Sequence, residues 1–496
     1  MDRDGGLEYE KTYLARVLAE ARRQYEEALR RREDDAAAIL ELKREFREET
    51  SHAVYGLYSA PNFHDLVNLS QAAQPVMEKI ASFESGEHKI LRLEKMLSAP
   101  YFARIDFCFA ETPGDEAEKI YIGRASLREE RSFDILVYDW RSPVAGVYYR
   151  FGVGPAFYDA PAGRVNGEVV LKRQYEIKNG VLEYFFDADV QVYDDYFRRL
   201  LSRNATSRMR AIIETIQRDQ DIAIRDGEND LLMIQGAAGS GKTSVALHRV
   251  AWLLYRDAAD GLTARHILVL APSGIFEDYI AGVLPELGEA NVFTAVFEEL
   301  LEEILRETLP QTPVRRRHLS LEESMPVFGA VNAARARRSL ELKNSPLWVD
   351  LLKEFLRRQP EDDSGGERYR GLEHGVDEKL NDPDRPPQPA HYGDKKEGRR
   401  GKAARQNARP AGALALYQSF VRDRELWRQK AGAGDDWADV LDFTAEALTG
   451  LGAKKGLRYE DALTLAYLQV SVSGCAEFYH IRQVVIDEAQ DYGRLH

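Results

Sequence analysis

Cysteine is scarce in this chain, and its scarcity excludes two kinds of structure. The 496 residues include two cysteines, Cys108 and Cys475, which lie far apart in the sequence. A disulfide framework or a cysteine-based zinc site cannot be built from such a pair alone. Because proteins kept in a reducing compartment use few cysteines, the sequence predicts a cytoplasmic location.

Long apolar runs and an excess of basic residues are lacking as well. The first residues, MDRDGGLEYEK, contain no apolar segment of a secretory signal, and no run of about 18 apolar residues predicts a membrane span. With 68 basic and 82 acidic residues, the formal net charge is -14. This charge argues against a protein that coats nucleic acid through its overall charge, but it does not exclude a local basic channel or a basic partner.

Residues 7–55 lack both glycine and proline and carry a heptad repeat of apolar side chains. Spacings of four and three residues are typical of a coiled coil, here with a polar interruption between two groups. The apolar positions are Leu14, Leu18, Ala21, Tyr25, Ala28, Ile39, Leu42 and Phe46. A single helix of this length needs a partner that buries its apolar stripe.

A second helical pattern, residues 63–97, supplies that partner after a turn that contains glycine and proline. Within this pattern, Pro75 and Gly86 predict a kink or a break. We therefore predict an antiparallel helical coiled-coil arm as a domain of residues 1–99. The alternative is an ordinary helical subdomain with its first turn at residues 33–35.

Residues 101–186 are rich in aromatic and β-branched side chains, in segments separated by glycine-containing turns. Two of these turns are the Asn-Gly pairs at 166–167 and 179–180, which are typical of β-hairpins. The pattern predicts a small antiparallel β domain of residues 100–190.

Beyond this domain the pattern changes to that of an α/β protein. Residues 192–225 are helical in pattern, and short apolar strands are predicted at 231–235 and 267–271. The helix predicted between these strands, residues 244–254, would make a βαβ unit. Such a unit implies a parallel sheet.

The remaining segments complete the predicted domain organisation. The first part of the α/β domain spans residues 191–300, and a helical insertion follows at 301–460. Within the insertion, residues 361–410 are predicted to be disordered, because they are rich in Gly, Pro, Asp, Lys and Arg. Residues 461–496 return to the α/β domain with a last strand at 483–486.

A phosphate-binding loop follows the first predicted strand. Its sequence GAAGSGKT fits the pattern in which glycine-rich backbone N–H groups cradle phosphates at a helix N-terminus. We assign to ATP binding the residues Gly236, Ala237, Ala238, Gly239, Ser240, Gly241, Lys242 and Thr243. Lys242 would contact the β and γ phosphates, and the Thr243 hydroxyl would ligate Mg²⁺.

A pair of carboxylates follows the last predicted strand. Asp487 would hold Mg²⁺, and Glu488 would orient and deprotonate the attacking water. Such a pair is a weak signal alone, but together with the phosphate-binding loop it predicts an ATP site with catalytic residues Lys242, Glu488 and Gln490.

The motifs GAAGSGKT, LHRVAWLL and DEAQD together resemble the first motor domain of superfamily 1 helicases of the UvrD type. The resemblance implies a P-loop NTPase with a RecA-like parallel sheet. It also implies that Gln220 contacts adenine and that Gln490 senses the γ-phosphate.

Further motifs resemble the HelD family, whose members are similar to UvrD helicases but bind bacterial RNA polymerase. They are PYFARIDF at 100–107, YIGR at 121–124, DWRSP at 139–143, KRQY at 172–175, TIQ at 215–217, FEDYI at 276–280 and VLPELG at 283–288. This resemblance implies that the helical arm enters the secondary channel of the polymerase and that the inserted helices reach toward its DNA channel. ATP turnover would then help to release or recycle the polymerase.

The chain ends at His496, before the second motor domain that such a protein needs for a complete ATP cleft. We therefore expect a monomeric, N-terminal part of a HelD-like ATPase, with hydrolysis left open. Two other functions stay open at this point. One is a UvrD-type DNA helicase in repair, and the other is a non-catalytic protein that binds polymerase or nucleotide.

Overall fold

The computed structural model divides the chain into two compact units. The first contains Met1–Ala264 and Tyr279–Val292, and the second contains Arg265–Asp278 and Phe293–His496. The structure describes residues 3–56, 63–112, 116–187, 216–237, 239–287, 289, 292–306, 308–309, 314, 330–359, 412–431, 436–449, 451, 456–475 and 478–495.

Two long helices begin the first unit, α1 (Arg3–Gly56) and α2 (Phe63–Ser98). Helix α1 continues through residues 33–35, so the alternative with a first turn there is wrong. Helix α2 continues through both Pro75 and Gly86, so of the predicted kink or break, the break is wrong. Both helices are longer than their propensities alone would support, because each buries a stripe against the other.

The two helices run antiparallel, as the order of their ion pairs indicates. Asp35 of α1 accepts from Lys79 of α2 at 2.5 Å, and Arg32 lies 4.0 Å from Glu87. Residues earlier in α1 are therefore paired with residues later in α2.

Near the start of α1, the helix pair also packs on the sheet described next. The buried apolar residues there include Leu14, Val17, Ala21, Ala28, Ile90, Leu93 and Met96.

A seven-stranded mixed sheet forms the body of the first unit. Its strands are β1 (Ala103–Phe109), β2 (Glu118–Gly123), β3 (Leu127–Arg128), β4 (Ile135–Asp139), β5 (Gly154–Ala160), β6 (Gly163–Lys178) and β7 (Val181–Asp187). The order is β3-β4-β2-β1-β6-β5, and β7 also pairs with β6.

This sheet corrects the prediction of a purely antiparallel domain. Most neighbours are antiparallel, but β2 and β4 are parallel, with Ile122 opposite Tyr138. The cause is the short strand β3, which reverses the chain between β2 and β4, so that both run in the same direction. The fold is thus α/β with a mixed sheet and a long N-terminal helix.

Three further helices are described in the first unit, one between β4 and β5 and two after the sheet. They are α3 (Gly146–Arg150), α4 (Arg218–Ile224) and α5 (Lys242–Arg256). Helix α5 contains the predicted helix 244–254. Of the helix predicted at 192–225, the part up to residue 215 lies outside the described residues.

The strand predicted at residues 231–235 is absent from the described structure, so the predicted βαβ unit is wrong. Leu231 and Met233 are 86% and 84% exposed, because neither packs into a sheet. An apolar run becomes a strand only where another strand pairs with it. The segment 231–235 therefore does not contribute a strand to the predicted RecA-like parallel sheet.

The second unit contains a three-stranded parallel sheet. Its strands are β8 (Ile267–Ala271), β9 (Phe293–Val296) and β10 (Gln483–Ile486), in the order β10-β8-β9. Strands β8 and β10 are those predicted at 267–271 and 483–486, and their pairing places Gln483 opposite Ile267. Before β9, helix α6 (Gly274–Glu286) crosses the boundary between the units.

The other described residues of the second unit are mainly helical. They are α7 (Phe297–Leu305), α8 (Ala330–Lys343), α9 (Pro346–Arg358), α10 (Ala413–Arg422), α11 (Arg424–Ala431), α12 (Asp436–Leu448) and α13 (Tyr459–Ser473). Their core is built around the buried rings of Trp348, Phe420 and Trp427. The disorder predicted at 361–410 lies outside the described residues. Among the described helices, none is both long and apolar enough to cross a membrane.

Candidate functional site

The predicted phosphate-binding loop lies in the first unit and leads directly into α5. Gly239 and Gly241 have φ values of +79° and +82°, a conformation that favours glycine. The ammonium group of Lys242 donates to the carbonyl oxygens of Gly236 and Ala237, each at 3.2 Å. The lysine thus folds back over the loop, at the positive end of the helix dipole.

The first glycine of the loop packs closely against Ser240. A Cβ atom at Gly236 would lie 2.6 Å from the Ser240 hydroxyl oxygen, so the serine side chain would have to rotate away. The Ser240 N–H donates to Ala237 O at 3.2 Å and tightens the same turn. Thr243 is half-buried as the second residue of α5, and Ala238 lies outside the described residues.

Gln220, the predicted adenine contact, lies against this loop. It belongs to α4, and its Nε2 donates to Ser240 O at 3.3 Å. Its Oε1 accepts from the Gln217 N–H at 3.0 Å, which fixes the orientation of the amide. The structure therefore brings together Gln220 and the loop, two features that lie 16 positions apart in the sequence.

The other side of α5 packs on the end of strand β4. Trp140 is fully buried, and its ring meets the His248 ring edge to face at 5.5 Å between centroids. His248 Nδ1 lies 2.6 Å from the carbonyl oxygen of Ser244, in the first turn of α5. Burial lowers the pKa of His248 to about 4, so this ring is neutral at pH 7. Trp140 belongs to the DWRSP motif, so that motif is a packing element for α5.

A buried carboxylate that sequence reasoning missed joins this motif to α4. Asp221 accepts from Arg150 Nε at 2.6 Å and from Arg225 Nε at 2.7 Å. Arg225 also donates to the carbonyl oxygens of Arg141 at 2.8 Å and Ser142 at 3.1 Å. No local pattern could have identified Asp221, because Arg150 lies 71 positions earlier in the chain.

The acidic motif lies in the second unit, at the end of β10. The Asp487 N–H donates to Leu270 O at 3.1 Å, which extends the pairing with β8 by one residue. Asp487 Oδ1 accepts from the Glu488 N–H at 3.1 Å, and Glu488 Oε2 accepts from Gln490 Nε2 at 2.5 Å. Glu488 has a φ of +49°, uncommon for a residue with a side chain. Glu488 is thus hydrogen-bonded to both of the other predicted residues, Asp487 and Gln490.

A comparison with known families identifies the beginning of the chain. Residues 7–199 match the family model described as DNA helicase IV HelD, N-terminal domain. This region is therefore similar to a HelD N-terminal domain. It comprises α1, α2 and all seven strands of the mixed sheet, so the resemblance inferred from the motifs is confirmed there. The phosphate-binding loop and the acidic motif lie after the matched residues. No curated protein was found to match the chain.

Proposed function

We propose that this chain carries the first motor domain of a HelD-type protein that binds ATP with Mg²⁺ and associates with bacterial RNA polymerase. The observation that carries the proposal is the loop at residues 236–243. It combines two glycines of positive φ, a lysine folded over the loop and a helix that starts at that lysine. These features follow directly after a HelD N-terminal domain.

The described residues of the loop fit a phosphate group. Backbone N–H groups at a helix N-terminus attract anions, and the Lys242 ammonium adds a full positive charge. The carbonyl oxygens of Gly236 and Ala237 that now accept from Lys242 are weaker partners than phosphate oxygens would be. Gln220, bonded to the loop at Ser240, would contact the adenine ring.

The Mg²⁺ assignment rests on oxygen ligands, which this ion prefers. Thr243 and Asp487 would hold the ion, which neutralises phosphate charge when bound. Glu488 would accept a proton from the attacking water, and Gln490, which donates to Glu488, would hold that carboxylate in place. Strands β8, β9 and β10 would belong to the RecA-like parallel sheet of the motor domain.

The partner is proposed from the HelD resemblance and from the helix pair α1–α2. A coiled-coil arm is not needed for a protein that only moves along DNA, whereas it suits insertion into the secondary channel of a polymerase. ATP turnover would then promote release or recycling of the polymerase. The long antiparallel pair and the HelD N-terminal match support this assignment.

Nucleotide binding is tested by calorimetry with MgATP on the full chain. Lys242→Ala should weaken binding at least about 100-fold, because a charge-assisted contact to phosphate is lost. Lys353→Ala, which removes an exposed lysine of α9, is the matched control and should bind normally. Equal affinity of the Lys242 variant and the unaltered chain would refute the site.

The partner is tested by size-exclusion chromatography with core RNA polymerase and, separately, with single-stranded DNA. Co-elution with polymerase is expected. ATP hydrolysis stimulated by DNA, without polymerase binding, would instead identify a UvrD-type helicase. Polymerase binding without any nucleotide affinity would identify a non-catalytic binding protein.

A further inference from the structure

We infer that Asp221 is a positioning residue that couples the HelD N-terminal domain to the end of the nucleotide loop where Gln220 lies. The inference rests on the proposed ATP function and adds a determinant of base preference. It joins residues of the mixed sheet, α3, α4 and the loop, all of which belong to the first unit.

The first step is the setting of Asp221 itself. Its side chain is fully buried and lies between two guanidinium groups, with Arg150 Nε at 2.6 Å and Arg225 Nε at 2.7 Å. Arg150 ends α3, which follows the DWRSP motif, and Arg225 directly follows α4. Asp221 and Arg225 hold each other firmly, because the Arg225 side chain is 5% exposed and separating the two would leave charges in a poorly solvated place. Arg150, which is 31% exposed, is the weaker anchor.

The second step is the anchoring of Arg225 to the sheet. Besides Asp221, its guanidinium reaches three successive carbonyl oxygens of the turn after β4. It donates to Trp140 O, to Arg141 O at 2.8 Å and to Ser142 O at 3.1 Å. The turn is itself fixed, because Asp139 accepts from Arg141 Nε at 2.8 Å. Asp221 and Arg225 therefore attach α4 to a rigid part of the HelD N-terminal domain.

The third step leads from Asp221 to the nucleotide loop. Asp221 follows Gln220 directly within α4, a helix of seven residues. So short a helix is not stable alone, so its orientation depends on tertiary contacts. At its other end, Arg249 of α5 donates to Ala223 O at 3.1 Å and keeps α4 on α5. Loss of the Asp221 contacts would therefore re-aim α4, and Gln220 with it, rather than detach the helix.

The consequence concerns the choice of base. A glutamine amide both donates and accepts, so it can pair with the edge of adenine and discriminate against guanine only if it is held in position. Phosphate contacts from the loop do not depend on the base. Disturbing Asp221 should therefore reduce the preference for ATP over GTP more than it reduces affinity for the phosphates.

The test is a double-mutant cycle on the full chain, with dissociation constants for MgATP and MgGTP measured by calorimetry. Asp221→Asn, which keeps the shape and removes the charge, should lower the ATP preference about tenfold. Gln220→Ala should lower it similarly, and combining the two should add nothing further, since both act through one side chain. Asp159→Asn breaks the exposed Asp159–Arg164 pair of the same sheet and should leave the preference unchanged.

Arg225→Lys provides a second variant in case Asp221→Asn does not fold, which thermal unfolding would reveal. Lysine keeps the positive charge but cannot make the several hydrogen bonds that the guanidinium group donates to the carbonyl oxygens. The preference for ATP over GTP should therefore fall, as in Asp221→Asn. Equal losses for ATP and GTP, or an unchanged preference in a folded variant, would overturn the inference and leave the ATP site intact. No nucleotide binding by the unaltered chain would overturn both proposals.

Discussion

Helices α1 and α5 are both attached to the mixed sheet through buried polar groups, which are charged at α1 and neutral at α5. At the start of α1, Glu10 is fully buried and faces charged partners from the strands. It accepts from Arg104, from Arg173 Nη1 at 3.0 Å and from the Tyr121 hydroxyl at 3.0 Å. At α5 the contact is neutral, between the rings of Trp140 and His248.

The difference shows two ways in which a protein keeps polar groups inside. Around Glu10 each charge finds an opposite charge, and burial together with the nearby Glu10 and Tyr175 raises the pKa of Tyr121 far above its ordinary value. At His248, burial lowers the pKa to about 4, and the hydrogen bond with the Ser244 carbonyl opposes only part of that shift. The first contact should therefore fail when a partner is removed, and the second when the pH falls.

Removing Glu10 should give the largest effect. Glu10→Ala leaves the guanidinium groups of Arg104 and Arg173 without their shared carboxylate, and we expect a loss of about 3–5 kcal/mol in the free energy of unfolding. Chemical denaturation measures it. Glu26→Ala, at an exposed position of the same helix, is the control and should change little. An unchanged midpoint for the Glu10 variant would mean that the buried cluster does not anchor α1.

Acidification should give the next largest effect, through His248. Its folded pKa of about 4 lies below the usual value of 6.5, so the unfolded chain takes up the proton first as the pH falls. The contribution of the neutral ring to the free energy of unfolding is therefore complete above pH 6.5. About 3 kcal/mol of that free energy is lost as the pH falls from 6.5 to 4.

The measurement for this effect is the pH dependence of the unfolding free energy, compared between the unaltered chain and His248→Gln. Other groups titrate in both proteins, so the difference between the two curves isolates the histidine. The variant should show the shallower slope between pH 6.5 and pH 4. Identical slopes would contradict a buried neutral ring at this position.

The smallest effect is expected away from the sheet, where α1 and α2 contact each other. Arg32 and Glu87 form a solvent-exposed pair at 4.0 Å, and such pairs contribute little because water and salt screen them. Glu87→Gln should change the free energy of unfolding by less than about 0.5 kcal/mol in chemical denaturation. A loss as large as that of Glu10→Ala would mean that the ion pairs, rather than the buried cluster, hold the helix pair.

The sequence predicted those features whose signal is local. A heptad pattern without glycine predicted α1, and short apolar runs predicted β8 and β10. Each of these patterns depends only on residues that lie close together in the sequence. The prediction for residues 231–235 was wrong, because an apolar run alone does not specify the strand that must pair with it. The parallel pairing of β2 with β4 was missed for a similar reason.

In the candidate site too, the features with a local sequence signal were predicted and those without one were not. The phosphate-binding loop follows a pattern of consecutive residues, and the structure confirms a glycine-dependent turn before a helix there. Asp221 and its two arginines follow no such pattern, since the contact exists only once the sheet and α4 have packed. The roles assigned to Lys242, Asp487 and Glu488 in ATP binding and hydrolysis stay predictions.

The left-handed backbone of Glu488 has a consequence for the acidic motif. A side chain in this conformation crowds its own carbonyl group, at roughly 1 kcal/mol relative to glycine. Glycine would relax the bend after β10, yet it would remove the carboxylate that Gln490 holds. The chain thus gives up some stability at this corner and keeps the carboxylate that Gln490 contacts.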